Sequence, residues 1–161
     1  MNFIASLDTD VAVSRSVAQI QKLVERFDAR EFRLIYGTGS RPAAVRFVIT
    51  DPHLVAGADL FTVELAAPAD VLVSLIQQHR KTWNDAHCVE QAERVAWRQL
   101  HDYVRAALIS VQWGIVTVGE AFLAGLVVTG PSGEEKRLGQ LIFERGLLRP
   151  AAGKLLLRSG E

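Results

Sequence analysis

With a single cysteine, Cys88, in 161 residues, the chain has no intramolecular disulfide framework, and this usage fits a reducing compartment. An excess of one charge is also missing. Eighteen lysines and arginines face eighteen aspartates and glutamates, so no global field draws the chain toward nucleic acid or an anionic membrane, and any basic patch must be local. Long apolar runs are missing too: the longest candidate, Ile115 to Val128, is broken by Thr117, Glu120 and two glycines and falls short of the ~20 apolar residues of a span. The opening Met1 to Asp8 has no basic stretch, and Ser6 and Asp8 break its apolar residues at once, so no secretory leader is expected. These absences predict a cytoplasmic chain with no membrane partner.

No internal repeat, low-complexity tract or long linker divides the sequence, so it reads as one domain over residues 1–161, with a loosely docked tail from about Arg149. The chain is 49% apolar and 22% charged, which is the composition of a packed globular protein, and a chain of this length buries roughly 70% of its unfolded surface.

Asn2 to Leu7 reads as a short strand. Ser16 and Gln19 stand at capping-box spacing ahead of a helix whose apolar face is Val17, Ile20, Leu23, Val24 and Phe27. Glu31 to Tyr36 and Ala43 to Thr50 are rich in β-branched and aromatic residues and flank a glycine-containing loop, the pattern of a hairpin. Leu60 to Leu65 predicts a further strand, and a helix from Pro68 is expected to stop near Asn84. Asp85 is read as the cap of the longest helix, on which Ala92, Ala96, Leu100, Val104, Leu108 and Val111 recur at near-helical spacing toward Gly114. Thr117 and Glu120 form a second capping-box signature, Gly130 to Gly133 a turn, and Leu138, Leu141 and Ile142 a last helix closed by Gly146. The order predicts an α+β fold: a small antiparallel sheet (strand, helix, hairpin, strand) covered by helices on one face and completed by a C-terminal helical layer.

The groups that could bind a metal or move a proton concentrate in His79, Asp85, His87, Cys88, Glu90, Glu93 and His101, at no recognised ligand spacing. His101 lies thirteen residues beyond Cys88, roughly 20 Å along a helix, too far to share an ion. His87 and Cys88 are turned about 100° apart, which suits a small buried thiol better than a nucleophile beside its base. The loop Gly37-Thr38-Gly39-Ser40-Arg41 joins two strands and lacks the lysine of a phosphate loop, so it reads as a hairpin turn. No catalytic residue, metal or cofactor is therefore expected, and an enzyme built on His79 to His101 ranks last.

Two surfaces remain. On the long helix, Trp97 stands among Arg94, Arg98 and His101, away from the Ala96 stripe. Partial exposure of Trp97 would make these four residues a partner-binding face; the plainer reading is that tryptophan fills the core. On the hairpin, Arg30, Arg33, Arg41 and Arg46 cluster where phosphates would meet a sheet. The strand carries one aromatic and no glycine-aromatic signature, and a solvated sheet face is the plainer reading.

The segment Glu90-Gln91-Ala92-Glu93-Arg94-Val95-Ala96-Trp97-Arg98-Gln99-Leu100, continuing through Val104 to Leu108 and on to Gly119-Glu120-Ala121-Phe122-Leu123, resembles a widespread group of small phage- and prophage-encoded proteins. The Ser16 to Leu23 opening is similar to the same group. This sequence departs from the group's usual pattern after Leu123, at Ala124-Gly125. The resemblance implies a mobile-element context and a non-enzymatic accessory role in the host cytoplasm. The residues themselves suggest how it is exercised: by binding a protein or a second copy of the chain at the Glu90 to His101 helix face or, alternatively, nucleic acid at the arginine hairpin.

Overall fold

The computed structural model describes residues 7–53 and 60–145. The strand expected over Asn2 to Leu7, the helix stop at Gly146 and the tail from Arg149 lie outside them, except that Leu7 stands in a turn.

Helix α1 spans Val13–Arg26 and buries Ser16, Ile20 and Val24. It starts a turn earlier than the Ser16 capping box predicts. Val13 packs against the core, so burial draws the first turn into the helix, with Ala12 as an N-cap that makes no side-chain bond. Ser16 is then interior, and its Oγ is the one buried side-chain polar atom among the described residues without a hydrogen-bond partner. At the other end Asp28 takes a positive φ of 56°, a conformation that aspartate tolerates better than most residues. The Ala29 and Asp28 amides then reach back to the Val24 and Glu25 carbonyls at 3.1 Å, closing α1 as a Schellman turn.

Strands β1 (Glu31–Tyr36), β2 (Pro42–Thr50) and β3 (Leu60–Ala66) form an antiparallel sheet in that order. The register pairs Phe32 with Phe47 and Phe47 with Val63 on the inner face. One residue along, Arg33, Arg46 and Glu64 form a row on the outer face, as the two-residue period of a strand requires.

Helix α2 (Ala69–His79) ends before Asn84, because Asn84 adopts the extended conformation of an N-cap and accepts the His87 amide at 2.8 Å. Helix α3, Asp85–Gln112, is 28 residues long and joins both apolar cores. Its Cys88, Ala92, Val95 and Ala96 pack with Leu72 and Ile76 of α2. Its Trp97, Leu100, Val104, Leu108 and Val111 pack on α1 and the sheet.

The Thr117–Glu120 capping box is present and opens α4 (Val118–Ala121), which delivers Phe122 edge-on to Phe47 with ring centroids 5.7 Å apart. A short hairpin of β4 (Val127–Thr129) and β5 (Glu135–Arg137) follows, turning through Gly130 to Gly133, and leads into α5 (Leu138–Glu144). Leu126 bridges to Val63, so this hairpin leaves from the free edge of β3. Gly125 allows that approach, since a Cβ there would lie 2.7 Å from Leu65 Cδ2 and 2.9 Å from the Glu64 carbonyl oxygen.

Trp97 is the largest fully buried side chain among the described residues. Trp97→Ala is expected to destabilise the fold by about 3–5 kcal/mol in urea unfolding. Trp113→Ala, at a side chain 73% exposed, should shift it by less than about 0.5 kcal/mol.

Hydrogen bonds from the Thr117 backbone, and then from its hydroxyl, hold the Glu120 carboxyl below its ordinary pKa. A depressed carboxylate contributes stability that is whole above its unfolded pKa and is lost as pH falls through the folded one. The stability gap between wild type and Glu120→Ala should therefore narrow in acid; a gap unchanged between pH 7 and pH 3 would contradict this.

Candidate functional site

Trp97 cannot form part of a surface. It is 1% exposed, because Leu100, Val104, Leu108 and Val111 follow it at three, seven, eleven and fourteen residues and place it on the buried stripe of α3. The partial exposure expected from its charged neighbours is thus corrected. Arg94 is held by Glu90 one turn earlier at 2.5 Å. Arg98 and His101 lie instead beside α1.

There the structure forms a cleft of about 390 Å³ lined by Gln19, Lys22, Leu23 and Arg26 of α1 and by Arg98, His101 and Arg105 of α3. The spacing follows from two helices side by side. Residues 98, 101 and 105 recur at three and four positions along α3, as 19, 22, 23 and 26 do along α1, so each set forms one stripe. Four cations line this cleft and no carboxylate does. Lys22, Arg26 and Arg105 make no ion pair among the described residues, and Arg26 also stands in the last turn of α1, where a cation complements the helix dipole.

Arg98 and His101 are held in place. Arg98 donates to Gln19 Oε1 at 3.1 Å and lies 3.4 Å from the Asp102 carboxylate. His101 is 7% exposed, and its Nδ1 meets Asp102 Oδ1 at 2.9 Å. An ionised carboxylate only accepts, so Nδ1 carries the proton and Nε2 is left for other contacts.

The cleft continues past Leu23, Arg26 and Arg105 into a second of about 540 Å³, which adds Phe27, Asp28, Thr50, Pro52, His53, Ile109 and Gln112. His53 is set on this rim by two bonds. Its amide donates to Asp51 Oδ1 at 2.9 Å, and its Nε2 donates to the Val111 carbonyl at 2.8 Å. The groove therefore has a cationic end and a mixed end, where Phe27, Pro52 and Ile109 lie among Asp28, Thr50, His53 and Gln112.

The hairpin arginines are differently placed. Arg46 gives two bonds to Glu64, at 2.7 and 3.0 Å, and one to Glu135 at 2.6 Å. These bonds, Glu135's first, raise its pKa above the ordinary arginine value. Arg41 pairs with Glu93 of α3 at 2.9 Å, and Arg33 with Glu31 at 3.1 Å. Arg30 is exposed and unpaired among the described residues. The sheet face thus carries its own counter-charges, and the four arginines are not one open cationic surface.

Among the described residues no three His, Cys, Asp or Glu side chains come close enough to hold a metal ion, and Cys88 is wholly buried. No helix there is long and apolar enough to cross a membrane. Sequence reasoning missed Lys22, Arg26 and Arg105. The signal was a pair of basic stripes on two separate helices, visible only once those helices are known to be neighbours.

Paired and unpaired cations should respond differently to truncation. Arg46→Ala leaves Glu64 and Glu135 facing each other without their shared donor and is expected to destabilise by about 1–2 kcal/mol, discounted for partial exposure. Arg105→Ala removes no partner and should stay within about 0.5 kcal/mol of wild type. Equal losses in thermal or urea unfolding would refute the distinction.

The sequence matches no family model, and no match was found among curated proteins or solved structures.

Proposed function

We propose that this protein is a non-enzymatic accessory protein, of the phage and prophage type that its Glu90 to Leu100 helix segment resembles, and that it acts by binding a macromolecular partner along the groove between α1 and α3. One observation carries this reading: a chain of zero formal charge gathers four cations on the two walls of one cleft lined by no carboxylate. Arg98 is offset by Asp102, but Lys22, Arg26 and Arg105 have no carboxylate partner among the described residues, and like charges brought together this way repel. An anionic partner converts the repulsion into binding energy and steers its own encounter with the groove. The groove retains Arg98 and His101 of the face read from sequence and replaces Trp97 and Arg94 with Lys22, Arg26 and Arg105. The arginine hairpin offers less, since Arg33, Arg41 and Arg46 are already engaged by carboxylates.

Retention on immobilised heparin, a general polyanion, tests the groove directly. Wild type and Arg33→Glu are expected to elute at the same raised salt, and the Arg98→Glu/Arg105→Glu double variant to run through. Wild-type protein that is not retained, or a double variant retained like wild type, would overturn the reading; circular dichroism establishes that the variants are folded.

A further inference from the structure

We infer that the groove takes single-stranded nucleic acid, with phosphates at its cationic end and a base at the mixed end beside Phe27. The inference rests on the groove being the binding surface, and it names the partner's chemistry.

The two ends of the groove differ in chemistry. A nucleotide unit is itself divided into an anionic phosphate and a planar base with an apolar face. Lys22, Arg26, Arg98 and Arg105 stand at one end; at the other Phe27, Pro52 and Ile109 lie among the polar Asp28, Thr50, His53 and Gln112, with Leu23, Arg26 and Arg105 shared between the two. Arg98 and Arg105 are seven residues apart on α3, roughly 10 Å at the helical rise, so they serve successive phosphates rather than one. Sequence-tolerant single-strand binding generally combines such a cationic track with ring faces on which bases stack.

The polar groups at the walls suit the same ligand. His101 has its Nδ1 occupied by Asp102, which leaves Nε2 as its hydrogen-bonding atom. His53 is tied at its amide and at Nε2, so its imidazole is held on the rim of the end that carries Phe27. Trp113, 73% exposed, directly follows the lining residue Gln112 without itself lining the cleft. An acidic peptide would use the same four cations, and competition separates it from a nucleotide chain. A duplex is disfavoured because the cations line the walls of a cleft between two helices instead of an outward ridge able to enter a groove of the nucleic acid.

Fluorescence anisotropy with labelled decamers of deoxythymidine and of uridine, at 50 mM and 200 mM salt, tests the inference. Binding to at least one decamer is expected. With three to four phosphates engaged, affinity should fall roughly twenty- to fifty-fold between the two salts. Arg98→Glu/Arg105→Glu should abolish binding. Phe27→Leu keeps an apolar group against the core but removes the ring, and should weaken binding at least about fivefold without changing the salt dependence. Competition distinguishes the sources of the chemistry. Displacement of the decamer by an equal concentration of mononucleotide would identify a mononucleotide site, and equal displacement by polyglutamate an acidic-protein site; either overturns the single-strand assignment. Heparin retention without decamer binding would leave the groove standing and refute its partner, whereas loss of both would refute both.

Discussion

Burial of one face of α3 is the constraint on which the rest of the structure depends. From Cys88 to Val111 this stripe supplies residues to both apolar clusters, so the pair α2/α3 and the assembly of α1, α3 and the sheet are built on a single element. Turning the stripe inward also determines what faces out. Once Trp97, Leu100 and Val104 are in the core, Arg98, His101 and Arg105 must stand on the flank beside α1. The candidate site is thus the other side of the packing solution: rigid helices hold its charges, and apolar contacts hold the helices.

Two polar ties then secure the C-terminal layer to the sheet, each using a buried or half-buried group that would be unfavourable unpaired. Asp51, 3% exposed at the end of β2, accepts the Val118 amide at 2.7 Å with one carboxylate oxygen and the His53 amide with the other. It satisfies an orphan donor at the start of α4 and sets the imidazole on the groove rim. On the outer face Arg46 bridges Glu64 of β3 and Glu135 of β5, which neutralises the like-charge pair that the register creates between Arg33 and Arg46. The hairpin arginines stabilise the sheet, and the free cations gather elsewhere. Counting arginines along the chain cannot separate these roles, because the difference lies in the partner each side chain meets.

Local patterns carried most of the elements. Alternation in Val45, Phe47 and Ile49 marked the inner face of β2, and the Thr117–Glu120 spacing marked a capping box that is present. The α+β class and the antiparallel hairpin followed from such short-range signals. The errors fall where a long-range contact outweighs a local one. Burial of Val13 extends α1 past the Ser16 cap, and the three-residue strands β4 and β5 are too short to show a period and exist through their pairing with each other and the edge of β3.

What the sequence by itself determined is therefore the longer helices and strands and the apolar face of each, because those faces are written in the periods of the backbone. Trp97 shows the boundary: its place on the Leu100 and Val104 stripe was available in the spacing, yet its charged neighbours suggested exposure. Only the tertiary structure decided which charges are spent in pairs and which remain open. Lys22 and Arg26 belong to one helix and Arg98 and Arg105 to another, more than seventy positions away, and the cleft between them exists only because both helices bury their opposite faces in the same core.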